Sequence, residues 1–415
     1  MTAGKWRRTT LGDFVRLQRG HDLPADARRP GTIPVFGSAG PNGCHDTALA
    51  KGPGVAIGRS GVGSAGVVSF SPTDFWPHNT VLYVTDFLGN NERFAYYLLR
   101  TLDLRRFDSG SAQASINRNF LYPIPIEVPG REEQDRIATL LGALDDKIAL
   151  HAKMNATLEA MARAVFEDWF IRFGPVRTKA EGRAPPGLAP DLAALFPDRL
   201  TETADGEVPG GWRCSTVGEE VECVGGSTPS TDAAHLWHPG EHAWTTPKDL
   251  AQRPEPFLLT TSRKISAAGL AGISSGLLPV GSVLLSSRAP IGYRAITAIP
   301  VAINQGYIGL RCTSAIGPEF VYLWLGANMD GIHARANGST FMEISKASFR
   351  PIPMLVPPQG IMEGFVSLVR PMFDRIRTNQ EETRTLTELR DLLLPRLISG
   401  QLRLRGAEHA LEAVL

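Results

Sequence analysis

The feature that most limits how this chain can fold is a phrase written twice. "LYPIPIEVPG" occupies residues 121–130 and "FRPIPMLVPP" residues 349–358. Pro123, Ile124, Pro125, Val128 and Pro129 match Pro351, Ile352, Pro353, Val356 and Pro357, each 228 positions on. Earlier in each half, Trp6, Gly12, Val15 and Gly20 match Trp212, Gly218, Val221 and Gly226 at an offset of 206. Asn79 stands against Asn304, "FAYYLL" (94–99) against "FVYLWL" (320–325), and "GSAQASI" (110–116) against "GSTFMEI" (338–344). A period of this length is no solenoid, whose repeats run to about 20–50 residues. It is the duplication of a whole unit, with insertions in the second copy.

A long helical pattern follows each copy. Apolar positions fall at Ile137, Leu141, Leu144 and Ile148, pass through His151 and Asn155, and resume at Leu158, Ala162, Val165 and Trp169. Steps alternating between four and three residues mark a coiled-coil seam. Moving 228 positions on gives Phe365, Val369, Met372, Ile376, Asn379, Thr383, Leu386, Arg390, Leu393 and Leu397, with the polar interruption in the same place. Arg390 reads as a flaw in that seam, with Leu389 able to serve beside it. Helices of about 40 residues would each span about 60 Å. Packed antiparallel, they would bring polar layer against polar layer and relate the two halves by a pseudo-twofold axis. The seam residues expected to pack are Ile137, Leu141, Leu144, Ile148, Asn155, Leu158, Val369, Ile376, Thr383, Leu386 and Leu393.

The parts before the helices read as strands and tight turns. "VAIGRSGVGSAGVVSF" (55–70) and "GSVLLSSRAPIGYRAIT" (281–297) are apolar runs broken by Gly and Ser. Short helices are expected at 92–104 and 318–328. The reading is an α+β chain of two tandem β-rich α/β domains separated by two long helices. The boundaries are 1–130 for the first domain, 131–173 for the first helix, 174–211 for a Pro- and Gly-rich linker, 212–358 for the second domain, 359–403 for the second helix and 404–415 for a tail.

The search for catalytic chemistry comes out negative. No Lys precedes Ser or Thr, so there is no P-loop. No Asn precedes Pro, so the Asn-Pro-Pro-aromatic signature of an amino-methyltransferase is missing. HExxH is absent. His235, His238, Glu241 and His242 in "HLWHPGEH" invite a metal, but a Pro- and Gly-containing loop without cysteine is the plainer reading. The four cysteines form no CxxC pair, which suggests a reducing compartment. The first residues carry no apolar leader core, and no run reaches the length of a membrane span. No cofactor and no metal is expected, and the chain reads as cytoplasmic.

Polar loops of a kind that reads nucleic acid remain. Net charge is only +1, yet residues 1–130 carry 14 Lys and Arg against 10 Asp and Glu. Arg suits guanine and Asn or Gln suits adenine in the major groove, while Ser, Thr and Lys hold phosphates. The candidates for DNA contact in the first half are Arg59, Ser60, Ser64, Gln113, Ser115, Asn117, Arg118 and Asn119. In the second half they are Thr246, Lys248, Ser287, Arg288, Asn304, Gln305, Ser339, Thr340 and Lys346. A glycine-rich hairpin loop, and a coiled-coil adaptor with two ligand modules not specific for DNA, are the competing readings.

The ordered set "W…TLGDFVRLQRG", "IPVFGSAG", "GPGVAIGRSGVGSAGVV", "PIPIEVPGREEQDRIATLLGALDDKI", "DWFIRFGPVRTKAEG", "VPGGW", "GGSTPST…WTTPKDL" and "LRDLLLPRLISGQL" resembles the specificity subunits of type I restriction–modification systems over nearly the whole chain. That resemblance implies two target-recognition domains, each reading one half of a split site in double-stranded DNA. It implies spacer helices that hold two methyltransferase subunits, with motor-nuclease restriction subunits joining the assembly, and no active site in this chain. The near-neutral charge departs from a lone DNA binder.

Overall fold

The computed structural model of the chain describes residues 6–61, 63–107, 115–203, 206–251, 255–313, 315–338 and 342–404. It divides into two compact units, Met1–Ala149 with Arg384–Leu415, and Leu150–Thr383.

The twice-written phrase is a strand that closes each domain. In the first unit, Pro125–Val128 pairs antiparallel with the opening strand Arg7–Thr10. In the second, Pro353–Val356 pairs antiparallel with Arg213–Thr216. Proline is tolerated there because each ladder has only two strands, and a first strand residue needs no donor on its open side. The long helices follow at once, at Arg131–Phe166 and Gln359–Ile398.

The sheets correspond strand for strand. The first unit has a four-stranded antiparallel sheet in the order Arg16–Arg19, Val81–Asp86, Gly54–Gly58, Val68–Ser71. The second repeats it as Glu222–Gly225, Tyr307–Arg311, Val283–Ser287, Ile291–Thr297, and adds the short parallel strand Phe257–Leu258. The inner strands Gly54–Gly58 and Val283–Ser287 are buried along their whole length, which is why they read as continuous apolar or small-residue runs. A three-stranded sheet accompanies each: Gly40–His45, Ile33–Gly37, Trp76–Pro77, and Arg263–Ile265, His242–Thr245, Ala302–Ile303. Helix Glu92–Thr101 covers the first main sheet and Pro318–Ala327 the second. Asn91 starts the former by accepting the Phe94 N–H at 2.8 Å.

The glycines matched across the repeat sit at close approaches. A Cβ at Gly20 would collide with the carbonyl oxygen of His78, and one at Gly226 with that of Ile303. Those contacts let the main-sheet strand end tightly against the end of a strand of the smaller sheet in both copies.

Each unit carries its own core, and each core includes parts of both long helices. In the first, Ile137, Leu141 and Leu144 join Leu386, Leu393 and Leu397 with the sheet residues Leu17, Val55 and Ile57. In the second, Ala162 and Phe166 join Phe365 and Val369 with Val283 and Leu285. Burying such a side chain fully is worth about 1.5–3 kcal/mol, so the seam joins the helices to the sheets as well as to each other. Within the second unit the pairing is antiparallel: His151 meets Thr383 at 3.2 Å and Asn155 meets Asn379 at 2.7 Å. Ile376 is fully buried, whereas Ile148, Leu158 and Thr383 are half-buried.

Two features differ from the sequence reading. Arg390 is no flaw, because its guanidinium donates to Asp145 at 2.8 Å. Residues 174–211 carry structure of their own: helices Gly174–Ala180 and Pro190–Leu195 and the hairpin Leu200–Thr203 with Gly206–Pro209. Val176 and Phe196 are buried in the second core, where Phe196 packs edge-on against Trp169 at 5.1 Å. Pro and Gly here punctuate short elements rather than loosen the chain.

Candidate nucleic-acid interface

Three separate stretches of the first unit converge on one cleft. Strand Arg16–Arg19 buries Leu17 and leaves Gln18 and Arg19 at the surface, followed by the turn at Gly20, His21 and Asp22. The glycine-rich loop brings Arg59 and Ser60. The stretch before the closing strand brings Ser115 to Phe120. Ser60 and Ser115 face each other in a single β-bridge, and the N–H of Ile116 donates to the Arg59 carbonyl at 2.8 Å. Ile116 is fully buried and acts as the anchor. Asn117 then caps the one-turn helix Arg118–Leu121, accepting the Asn119 N–H at 3.0 Å, and Arg118 donates to the Leu17 carbonyl at 2.9 Å. The cleft so formed has a volume of about 1020 Å³ and is lined by Gln18, Arg19, His21, Asp22, Arg59, Ser115, Asn117, Arg118 and Phe120, among others.

Its electrostatics favour an anion. Burial, and then the nearby Arg19 guanidinium, push Arg59 below the ordinary arginine value. Two cations facing one space gain from a phosphate between them. Asp22, the carboxylate in the lining, accepts from the Asn79 side-chain amide. Acceptor and donor groups for base edges thus stand beside cations for phosphates.

Of the first-half candidates, Arg59, Ser115, Asn117 and Arg118 line the cleft. Ser60 is tied to Ser115 by the bridge, and Ser64 donates to the Ser60 carbonyl at 3.2 Å, so these two hold the loop. Asn119 is exposed on the one-turn helix. Gln113 lies outside the described residues. Gln18, Arg19, His21, Asp22 and Phe120 were not singled out by the sequence reading. The matched Gly20 could have pointed to them, because a glycine held for close approach fixes the residues beside it.

The second unit repeats the frame with different side chains. Arg288 and Glu343 form the single bridge that Ser60 and Ser115 form in the first, and their side chains make an ion pair at 3.5 Å. Lys346 opens helix Lys346–Phe349 where Arg118 opens its counterpart, and it is exposed. Ser287 is buried, with its backbone N–H donated to the Gly306 carbonyl at 2.8 Å, so its position supports the loop rather than its surface. Thr246 and Lys248 lie at helix Pro247–Ala251, where the Thr246 N–H donates to Asp249 at 2.8 Å. Gln305 accepts from Thr228 at 2.6 Å, and Asn304 accepts the Gly306 N–H at 2.9 Å. Ser339 and Thr340 lie outside the described residues.

The histidine-rich stretch is built around tryptophans. Trp237 and Trp244 pack edge-on at 5.2 Å, and Arg263 lies over the Trp237 ring at 3.6 Å. Among the described residues no group of three or more His, Cys, Asp or Glu side chains could hold a metal ion. Among them, too, no helix is long and apolar enough to cross a membrane.

Comparison with known proteins identifies the family and the fold. The family model for the type I restriction modification DNA specificity domain matches twice, at residues 4–160 and 209–387, once for each copy of the repeat. The HindI specificity subunit of Haemophilus influenzae is 28% identical over 320 residues, covering 67% of this chain and 69% of that protein. The MjaIX specificity subunit of Methanocaldococcus jannaschii is 25% identical over 325 residues, covering 76% and 70%. Among solved structures, the type I restriction–modification S subunit from M. genitalium superposes with a TM-score of 0.61 over 95% of this chain and 96% of that one. Its 17% identity makes that a likeness of fold.

Proposed function

The chain belongs to the type I restriction–modification DNA specificity family, and from that premise we propose that it reads a two-part site in double-stranded DNA, one part through each β-rich domain. Specificity subunits select DNA and leave the chemistry to partners, which fits a chain whose sequence lacks the P-loop and the amino-methyltransferase signature. The first recognition domain is residues 1–130 and the second 212–358. The observation that carries the reading is the cleft in which Gln18, Arg19, Arg59, Asn117 and Arg118 meet. Arginines there hold phosphates and read guanine, while Asn117 and Gln18 suit adenine.

The long helices are the proposed seat of partner subunits. They leave large apolar side chains in solvent: Leu150 and Met161 on the first, Leu368 and Leu392 on the second. These side chains mark helix faces that the sheets leave uncovered. The duplication supplies such a surface twice, which supports two methyltransferase subunits, with motor-nuclease subunits joining the assembly in the cytoplasm.

The test uses the full chain assembled with its methyltransferase subunits. Methylated sites are mapped for wild type and for Arg118→Ala, and DNA affinity is measured against salt. Arg118→Ala should change preference in one half-site alone and cost about 1–3 kcal/mol if it reads a base. If instead it holds a phosphate, the salt slope should fall by about one. Wild-type binding indifferent to both sequence and salt would defeat the reading.

A further inference from the structure

Phe120 stands out in the first unit. It is 58% exposed, the highest exposure among the large apolar side chains described. It nevertheless lies in the wall of the cleft, next to Asn117 and Arg118. The fold does not require it. In the second unit the helix Lys346–Phe349 adopts the same one-turn form with Ser348 at the matched position, and the residue that anchors the turn, Leu121 or Phe349, is fully buried in both. An aromatic ring kept in water, on a turn that folds with serine in its place, points to a ligand contact.

The chemistry around it narrows the contact. The polar side chains sharing that wall, Gln18, Asn117 and Arg118, suit the donor and acceptor edges of bases in the major groove. A side chain level with them meets the same edges, and the one apolar group displayed there is the 5-methyl of thymine. Resting on the DNA-reading function proposed above, we propose that Phe120 is a specificity-determining residue that packs against a thymine 5-methyl in the half-site read by the first domain. The second domain has Ser348 at this position and offers no such ring.

The experiment uses the full chain with its methyltransferase subunits and synthetic duplexes carrying the mapped site. Each thymine of the half-site altered by Arg118→Ala is replaced in turn by deoxyuridine, which removes only the methyl. One such replacement should weaken wild-type binding about three- to tenfold, as expected for one buried methyl, and should leave Phe120→Ala binding unchanged. On the all-thymine duplex Phe120→Ala should be weaker by a similar factor, and Phe120→Leu should retain part of the preference. If no thymine position distinguishes wild type from Phe120→Ala, the inference is wrong. It is also wrong if wild type raises the fluorescence of a 2-aminopurine placed in the half-site and Phe120→Ala does not, because the ring would then be unstacking a base. If wild type fails to bind the duplex at all, the DNA-reading function itself falls. If wild type binds and Arg118→Ala weakens it but the deoxyuridine series is flat, only the thymine contact falls.

Discussion

Asn379 donates a 2.7 Å hydrogen bond from Nδ2 to Oδ1 of Asn155, and both side chains are buried in the helix pair of the second unit. One turn away His151 meets Thr383, so a step of four residues up one helix is a step of four down the other. A buried polar pair of this kind specifies register at some expense of stability. Asn379 Oδ1 has no partner among the described residues, which adds to that expense. Asn155→Ala should cost about 1–3 kcal/mol, because it strands a buried amide. Replacing Asn155 and Asn379 together with Leu should be neutral or stabilising. Denaturant titrations of wild type, both single variants and the double variant measure the coupling. Equal, additive losses would mean that the two amides do not act as a pair.

In the first unit the helix pair is held by charge. Asp145 accepts from Arg390 at 2.8 Å and from the Tyr97 hydroxyl at 2.6 Å, and the ion pair is mostly buried, with side-chain exposures of 19% and 15%. Burial, and then the hydrogen bond to Asp145, push the Tyr97 phenol well above its ordinary value, so Tyr97 stays a neutral donor. Removing Arg390 leaves Asp145 without its cation. Arg390→Ala should therefore cost about 3–5 kcal/mol, the range for breaking one side of a buried pair. It should also raise hydrogen exchange in helix Glu92–Thr101, which carries Tyr97. Unchanged exchange there would show that the helix is held by its apolar face alone.

Much of this architecture was legible because it is written in local or repeated patterns. The "PIPIEVP" and "PIPMLVP" phrases are the closing strands, and the four-three seam runs through Ile137, Leu141, Leu393 and Leu397 into the first core and through Ala162, Trp169, Phe365 and Val369 into the second. Arg390 was misread because its partner is on the other long helix, and periodicity within one helix carries no information about a facing carboxylate. The cleft was half legible for a similar reason. Asn117 and Arg118 announce themselves as polar residues before a strand. Gln18 and Arg19 join them only through the contact from Arg118 to Leu17, and Phe120, on the same turn as Arg118, carries no polar signal. Residues 174–211 were read by composition, which does not reveal that Phe196 packs on Trp169.

Asp249 ties the candidate loop of the second domain to pH. It accepts from the backbone N–H groups of Thr246 at 2.8 Å and Ser262 at 3.0 Å and from the Thr245 hydroxyl at 3.1 Å. Burial opposes its ionisation, but the hydrogen bonds from Ser262, Thr246 and Thr245 outweigh it and hold the carboxyl below its ordinary value. The folded pKa is the lower one. The carboxylate therefore contributes stability above the ordinary range near pH 4, and that stability is lost as pH falls through the folded value. Asp249→Asn should cost about 1–3 kcal/mol at neutral pH and flatten the acid limb of the stability profile. A variant with an unchanged acid limb would show that other carboxylates govern it.

The two matched loops differ at the bridge that holds Glu343. In the first domain the bridge is made by Ser60 and Ser115, and the cleft keeps its arginines beside the open space. In the second the same bridge carries Arg288 and Glu343, 3.5 Å apart and both partly exposed. On the proposed DNA-reading function, that carboxylate does two things to an approaching duplex. It occupies the Arg288 guanidinium, and it repels phosphates. A surface pair of this kind contributes little to stability, about 0–1 kcal/mol, so Glu343→Gln should fold normally. With the charge removed, Arg288 becomes available to a phosphate, and non-specific DNA binding should tighten. The slope of log affinity against log salt should steepen by about one. Discrimination at the half-site of the second domain should relax, while the half-site of the first keeps its sequence. Salt titrations on random duplex and methylation mapping of the assembled complex read both effects. An unchanged slope would place Arg288 away from the DNA backbone. Relaxation at both half-sites together would mean that the two domains do not read independently.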